Sequence, residues 1–343
     1  DQVGRAYIRA SELCHAVGDQ GALTKIQLGL EGYYFMRADF EQAHAIAEQA
    51  AAMMTGSTDP MRRLQSSWAV ANILFHQGEL VAAVGQMDSC LEEYKRTQHS
   101  PRVVQDPGVM CLCYSAWGKW QLGYPDQALE RARQAIALSE RLNHSFSMGE
   151  AYGFCTAVHH FRGENAQALE CAERAIEICE DNGFAVWLAH AKLMRGRRVA
   201  EQGDAEAGIE EMSQAYDMWA ATGAVVTTPF YLAMQAEGLA LAGRPDEGLS
   251  LLQRAFGIVC KYGERYYEAE IRRLSGELIL QAAALRGKDE SSEAERWFLG
   301  AFAFAKEKQL RSLSLRSAVS LGRLRMAQGR SAEALQILQP AYE

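Results

Sequence analysis

The sequence predicts an all-α solenoid: about eight helical hairpins stacked side by side, with a repeat period near 40 residues. Two observations predict it. Turn signals recur at steps of about 40 residues, and two fixed positions after each turn carry a small side chain. Self-similarity at a fixed period is the signature of repeat architectures, in which each unit buries its apolar face only against its neighbours. We expect a right-handed superhelix, in which residues 1–20 form the second helix of a truncated preceding repeat.

Turn signals end the first helix of each predicted hairpin, because glycine supplies the positive φ that terminates a helix and the next polar residue starts another. They lie at Ala38, Gly78, Gly123, Gly163, Gly203, Gly243 and Gly329. The longer interval after Gly243 holds one further unit, whose turn position we assign to Asp289 after an insertion at 284–289. The predicted repeats cover approximately residues 21–58, 59–100, 101–144, 145–183, 184–224, 225–264, 265–309 and 310–343.

Small residues stand five and twelve positions after each turn. The first set is Ala43, Ala83, Ala128, Ala168, Gly208, Gly248, Ala294 and Ala334; the second is Ala50, Cys90, Ala135, Ala175, Ala215, Ala255, Ala301 and Ala341. Small side chains let neighbouring helices approach to about 8–10 Å. The pattern therefore predicts that all sixteen positions face other helices.

Composition excludes several classes of function. The 343 residues carry a net charge of −8, which disfavours nucleic-acid binding, since that requires Lys and Arg against phosphates. No apolar run reaches the roughly 20 residues of a membrane span. Residues 1–5 lack signal-peptide features and the chain starts within a helical pattern, so we interpret it as a fragment of a larger cytoplasmic protein. The 8 cysteines form no CxxC pair, which predicts reduced, buried thiols.

Catalytic and metal-binding motifs are not found in the sequence. The run from Gly18 to Lys25 has the wrong order for a phosphate-binding loop and is interpreted as an inter-repeat turn. His159 and His160 diverge by about 100° on a helix, so the two would not chelate one metal. Acidic residues such as Glu206 and Glu210 fall on outward faces. We expect no enzymatic activity, no cofactor and no metal.

The spacing of small residues resembles the tetratricopeptide repeat, which places small residues at its eighth, twentieth and twenty-seventh positions; the period here exceeds the usual value of about 34. Residues 116–129, 183–188, 267–278 and 315–324 are similar to the C-terminal repeats of large bacterial signalling proteins. Those proteins join an AAA/STAND-type ATPase to the repeats, often behind a class III adenylate/guanylate cyclase or a kinase domain. The resemblance implies a sensor or autoregulatory arm whose catalytic domains lie outside this chain.

The concave face of such a solenoid is lined by the first helix of each hairpin and suits a partner segment. The residues expected there are Phe35, Trp68, Phe75, Trp117, Trp120, His160, Arg197, Glu237, Arg323 and Met326. The leading hypothesis is a non-catalytic scaffold that binds a protein or peptide, including other domains of the same polypeptide. The alternative is a small-molecule sensor. A closed pocket lined by Trp117, Trp120 and Arg197 would favour the sensor, whereas an open trough would favour the scaffold.

Competing interpretations apply to the tryptophans, the basic run and the last helix. Each tryptophan could simply fill the gap between longer helices. The basic run 195–198 could clamp an anionic group, or it could pair with acids such as Glu201. Leu335, Ile337 and Leu338 leave an apolar face on the last helix that favours self-association.

Overall fold

The computed structural model describes residues 2–18, 20–54, 59–97 and 105–342, which form seventeen α-helices and no strand. The helix α1 precedes eight antiparallel hairpins, α2–α3 to α16–α17, so the prediction of an all-α solenoid is confirmed. The helices are α1 Gln2–Val17, α2 Gln20–Met36, α3 Phe40–Met54, α4 Pro60–His76, α5 Leu80–Tyr94, α6 Pro107–Gln121, α7 Pro125–Arg141, α8 Ser145–Arg162, α9 Asn165–Asn182, α10 Ala185–Glu201, α11 Ala205–Ala221, α12 Thr228–Leu241, α13 Pro245–Tyr262, α14 Glu268–Arg286, α15 Ser291–Glu307, α16 Arg311–Ala327 and α17 Ser331–Tyr342. Within the described ranges, none of them is both long and apolar enough to cross a bilayer.

The turns inside the hairpins have the backbone that the sequence predicts. Six of the seven predicted turn residues are glycines with positive φ, and Ala38 adopts a φ of 58° without being glycine. The seventh hairpin differs, because the insertion extends α14. The positive φ there lies at Gly287, two residues before the expected position Asp289, whose carboxylate instead accepts a hydrogen bond from Ser291 N.

The small residues pack between helices as predicted. The structure describes fifteen of these sixteen residues' surroundings, and all fifteen are buried. The alanines and Cys90 among them are at most 5% exposed. The tightest approach joins α10 and α11, where a Cβ on Gly208 would lie 2.4 Å from the carbonyl oxygen of Gly196. Only glycine fits there, so this pair of residues sets how closely the two helices pack.

Hairpins that are far apart in sequence also touch, because the superhelix closes on itself after five hairpins. The loops that precede α12 and α14, and the start of α16, lie against the ends of α2, α4 and α6. Val225 N donates to Met36 O at 2.7 Å, and Arg265 N donates to His76 O, also at 2.7 Å. In the third such contact, Ser312 Oγ donates to Trp120 O.

Aromatic side chains fill most of the interior that this closure encloses. Trp117 of α6 packs against Phe154 of α8 and Phe230 of α12, with ring centroids 5.4 and 5.0 Å apart. Phe75 of α4 packs against Tyr266, five hairpins later, at 5.1 Å. The inner faces of the first helices therefore pack mostly against one another as a hydrophobic core. The space that the side chains leave unfilled is a cavity.

Candidate functional site

A cavity of 320 Å³ lies between the inner helices of the first six hairpins. Its lining is dominated by aromatic side chains from α2, α4, α6, α8, α10, α11 and α12: Phe35, Trp68, Tyr114, Trp117, Phe154, Trp187, Trp219 and Tyr231. We call it the Trp cavity. Four of the six tryptophans of the chain line it, so most of the tryptophans lie around this one cavity.

Superhelix closure assembles the Trp cavity. Phe35 and Met36 come from the first hairpin, whereas Val226 and Thr227 come from the loop before α12 in the sixth. The hydrogen bond from Val225 N to Met36 O holds these two parts together. An occupant of the cavity would therefore contact both ends of one superhelical turn.

The cavity lining carries hydrogen-bonding groups that have no partner. The indole Nε1 atoms of Trp117, Trp187 and Trp219 are buried and unpaired within the described residues, as is Oδ1 of Asn72. Indole nitrogen can only donate. A buried donor without an acceptor costs about 1–3 kcal/mol, so three such donors on tryptophans of one cavity wall are an unusual concentration of unpaired polar groups.

Burial shifts the pKa of two ionisable groups of the lining, Glu31 and His190, toward their neutral forms. Burial raises the pKa of the Glu31 carboxyl to about 8, because it disfavours the charged form. Burial likewise lowers the pKa of His190 to about 4. Nδ1 of His190 lies 3.0 Å from the hydroxyl oxygen of Tyr231, which orients both rings at the wall.

A buried histidine–glutamate contact closes the inner end of the cavity. His76 Nδ1 lies 2.9 Å from Glu264 Oε1, and both side chains are almost fully buried. The same oxygen accepts a hydrogen bond from Thr227 N at 2.6 Å. Glu264 therefore ties the loop before α12 and the loop before α14 to the end of α4, which is a positioning role.

A second group of inner residues forms an ion-pair cluster on α10, α12, α14 and α16. Arg197 Nε lies 3.2 Å from Glu237 Oε2, and Glu270 Oε1 lies 2.7 Å from Arg273 and 2.9 Å from Arg316. Burial works to raise the pKa of Glu270, but the guanidinium groups of Arg273 and Arg316 outweigh it and lower that pKa. The opposite charges satisfy each other, so this cluster leaves little for an outside anion.

The pairing hypothesis for the basic run 195–198 agrees with these contacts. Arg197 and Arg198 both pair with Glu201, and Arg195 pairs with Glu211. Arg198 also contacts His160, and burial followed by the charge of Arg198 lowers the pKa of this histidine. Nearer the C-terminus, Arg273 pairs with both Glu270 and Glu277, and Arg316 pairs with Glu270.

The ten residues predicted for a concave site do not come together. Phe35, Trp68 and Trp117 line the Trp cavity. Phe75 and Trp120 are buried in the core, and Trp120 stacks on Phe161. Arg197 and Glu237 belong to the ion-pair cluster, and His160 lies at its edge. Arg323 and Met326 lie on the exposed surface of α16.

Sequence reasoning did not select Glu31, Trp187, Trp219 or Tyr231 for the site. Trp187 lies in the stretch 183–188, which had been noted only for its resemblance. Trp219 lies near the end of α11, the second helix of its hairpin, and the hypothesis considered first helices alone. The three aromatic residues share one signal, because they lie near the start of a first helix or the end of a second helix, which is the same end of a hairpin.

Comparison with known proteins agrees with this fold. The family model of a tetratricopeptide repeat matches residues 229–254 and 315–340. An uncharacterized protein of Rhizobium meliloti (strain 1021) is 23% identical over 265 residues. That match covers 75% of this chain but only 25% of the relative, so the chain spans about a quarter of the length of the curated relative.

Two solved structures extend the likeness over nearly the whole chain. The Rap conjugation gene regulator of plasmid pLS20, in complex with the Phr* peptide, gives a TM-score of 0.60 at 9% identity, covering 93% of this chain and 94% of that one. A STAND protein with a tetratricopeptide repeat sensor from Pyrococcus horikoshii gives 0.50 at 12% identity, covering 100% of this chain and 52% of that one. At such identities the likeness shows the fold alone.

Fold and repeat spacing define the class of protein: the chain is an all-α repeat solenoid, and two of its segments match the tetratricopeptide repeat model.

Proposed function

We propose that the chain is the regulatory repeat module of a larger protein, and that it senses a compact, uncharged ligand in the Trp cavity. The observation that carries the proposal is the set of three buried, unpaired indole donors on one aromatic cavity. ATPase, cyclase or kinase activity would belong to companion domains of the larger protein. Such a module would work in the cytoplasm, where free thiols such as those of this chain persist.

The size of the cavity supports a small ligand over an extended peptide. A volume of 320 Å³ lies at the lower end of the roughly 300–1,000 Å³ of small-molecule sites, in which most of the ligand surface is buried. An extended peptide needs an open groove, whereas here the interior beyond the cavity is filled by aromatic side chains. A confined pocket with Trp117 in its wall supports the sensor hypothesis, although Trp120 and Arg197 are not among its lining residues.

The chemistry of the lining selects the kind of ligand. Three indole N–H groups require acceptor oxygens or nitrogens, and the aromatic walls suit a flat apolar body. A cage of tryptophans can also hold a quaternary ammonium through cation–π contact. A simple quaternary ammonium brings no acceptor for the indole donors, so the geometry favours a neutral aromatic molecule that carries carbonyl groups.

Ligand binding would be coupled to superhelix closure. The cavity is built from the first and the sixth hairpins, so an occupant stabilises their contact by RT ln(1 + [L]/Kd). A companion domain that packs on the solenoid would then contact a different population of solenoid conformations with and without the ligand. The Rap regulator and the STAND repeat sensor, both regulatory by their descriptions, are precedents within the same fold.

The test is direct binding to the purified chain, measured by calorimetry and by quenching of tryptophan fluorescence. The probes are neutral aromatic lactones and amides, with coumarin as the first, against phenyltrimethylammonium as the cationic arm. We expect neutral probes to bind, and Trp187→Phe or Trp219→Phe to weaken binding about tenfold, since each removes one hydrogen bond of about 1–1.5 kcal/mol. Trp297→Phe is the matched control because Trp297 lies on α15 and does not line the cavity.

Two outcomes would reject this proposal. In the first, phenyltrimethylammonium binds and the neutral probes do not, which assigns the cavity to cations. In the second, the affinity for a bound neutral probe is unchanged in both variants, which means that the indole donors do not recognise the ligand.

A protein partner is the second candidate, and an exposed stripe on α16 favours it. Leu315 and Met326 are 38% and 55% exposed and lie three helical turns apart on one side of the helix, beside the exposed Arg323. Apolar and Arg side chains are common interface anchors. We expect Met326→Lys to abolish capture of the companion domains of the full-length protein, with Ala207→Lys on the outer face of α11 as the control.

Self-association is the third element of the proposal. Leu335 on α17 is 62% exposed, so this helix offers an apolar face to a second copy. Sedimentation at several concentrations should show an oligomer that Leu335→Lys dissociates. A sedimentation coefficient independent of concentration would reject it.

A further inference from the structure

A compact group of sulfur and nitrogen atoms lies outside the Trp cavity, on the fourth hairpin. Cys155 and His159 are one helical turn apart on α8, and Cys171 faces them from α9. The two Sγ atoms and one imidazole nitrogen all lie within 4.8 Å of one another. Around a tetrahedral Zn²⁺ such atoms are about 3.5–3.8 Å apart, so small rotamer shifts would bring them to bonding distance.

The imidazole of His159 is already oriented for such a role. Its Nδ1 lies 2.6 Å from Glu164 Oε2, which leaves Nε2 as the nitrogen available for coordination. Glu164 is itself fixed by Arg162 Nε, which donates to its other oxygen at 2.8 Å. A carboxylate on the second nitrogen is the usual companion of a metal-ligating histidine, since it fixes the ring and raises the basicity of the ligand.

We propose that Cys155, His159 and Cys171 bind one Zn²⁺, with Glu164 as the residue that positions the histidine. Three protein ligands leave the fourth position open, and it faces a shallow depression of the outer surface between α7, α8 and α9. Two thiolates and an imidazole suit zinc and exclude hard cations such as Mg²⁺ and Ca²⁺. The site is separate from the Trp cavity, and the proposal departs from the expectation of no metal, which rested on the adjacent pair of histidines.

The bound ion would join the two helices of the fourth hairpin. Cys155 is buried and Cys171 half-buried, so the ligands are shielded but still reachable from the depression. The competing state of the same atoms is a Cys155–Cys171 disulfide, which forms by loss of two electrons and two protons to an oxidant. Zinc binding and disulfide formation exclude each other, and they differ in mass and in absorption spectrum.

The experiment uses the whole chain, stripped of metal by a chelator and kept reduced with a phosphine. Co²⁺ is the spectroscopic probe and Zn²⁺ the competitor. We expect one Co²⁺ per chain, with a thiolate-to-cobalt charge-transfer band that Zn²⁺ removes. Cys171→Ser and His159→Ala should lose the thiolate site or reduce its affinity at least 100-fold, whereas Cys260→Ser, which alters an exposed thiol on α13, should leave it unchanged.

Glu164→Gln provides the readout for positioning. It keeps both thiolates and the imidazole, so the charge-transfer band should persist while the affinity falls by roughly 10–100-fold. Far-ultraviolet circular dichroism confirms that each variant folds. Absence of the thiolate band in the folded, reduced protein, equal zinc uptake by wild type and Cys171→Ser, or isolation of the disulfide with no metal uptake after reduction would each overturn the assignment.

Discussion

The backbone N–H of Arg265 donates a 2.7 Å hydrogen bond to the carbonyl oxygen of His76, although the two residues belong to the seventh and the second hairpins. Tyr266, the next residue, packs its ring against those of Phe75 and His76. The free carbonyl at a helix end, which water satisfies in an open solenoid, is satisfied here by the next superhelical turn. This contact encloses the Trp cavity, so the regulation proposed above depends on it.

The closure contacts require glycine at the helix ends, which a substitution can test. Gly123 has a φ of 94°, and a Cβ there would lie 2.8 Å from the Cβ of Arg311, the first residue of α16. Gly203 has a φ of 108° with open space around it. Both Gly123→Ala and Gly203→Ala strain the backbone, which costs about 1–3 kcal/mol. We expect Gly123→Ala to lose at least about 1 kcal/mol more, by urea unfolding, and equal losses would refute the closure contact.

Glu31 gives the unfolding free energy a distinctive pH dependence. Its folded pKa of about 8 lies above the ordinary value of 4.5, so the folded state holds the proton more tightly than the unfolded state. Its contribution is therefore fully present below pH 4.5 and is lost as the pH rises toward 8. We expect wild type to lose up to about 1.4 kcal/mol per pH unit relative to Glu31→Gln between pH 5 and 8.

Parallel urea titrations of wild type and Glu31→Gln at pH 5, 6.5 and 8 check this slope. The exposed Glu41→Gln on α3 is the control and should follow wild type at every pH. A constant difference between wild type and Glu31→Gln would mean that Glu31 is ionised in the folded state.

Glu270 should show the opposite dependence. Arg273 and Arg316 hold its folded pKa below 4.5 against the effect of burial, so its stabilisation is present above pH 4.5 and is lost as the pH falls below it. Removing one partner of a buried pair costs roughly 3–5 kcal/mol, so Glu270→Gln should be strongly destabilised at pH 7. We expect the gap to wild type to narrow by pH 3.5, in chemical unfolding followed by circular dichroism.

The exposed pair of Arg244 and Glu247 supplies the comparison for Glu270. Both side chains are solvated, so Glu247→Gln should unfold like wild type at both pH values. If Glu270→Gln behaves in the same way, the inner ion pairs contribute nothing to the free energy of unfolding.

The sequence predicted the local architecture well because a repeat is specified locally. The positions of Gly78 and Ala83, or of Gly203 and Gly208, are fixed by turn and packing chemistry within one hairpin. Superhelical closure is different, because it sums small rotations over five hairpins. No local spacing reveals that Met36 will meet Val225, so the filled interior could not be foreseen.

The same limit explains which site residues were found. Phe35, Trp68 and Trp117 were predicted because first helices face inward in any such solenoid. Glu31 lies one turn before Phe35 on α2, so the same argument applies to it, whereas Trp219 lies on a second helix, which that argument does not reach. The cluster of Cys155, His159 and Cys171 was missed because the metal search considered neighbours in sequence, whereas Cys171 approaches from the next helix.

Filling the Trp cavity should separate ligand binding from stability. Ala69 on α4 is 4% exposed and lines the cavity, so Ala69→Leu adds three carbon atoms to an otherwise open space. Because cavity-filling substitutions commonly stabilise proteins by about 0.5–2 kcal/mol, we expect this variant to unfold at equal or higher urea concentration than wild type. Calorimetry should show that it binds the neutral aromatic probe more weakly, because the added side chain takes up part of the cavity, whereas Ala207→Leu, on the outer face of α11, binds normally. A stable Ala69→Leu variant with undiminished affinity would place the ligand away from Ala69 and the adjoining wall.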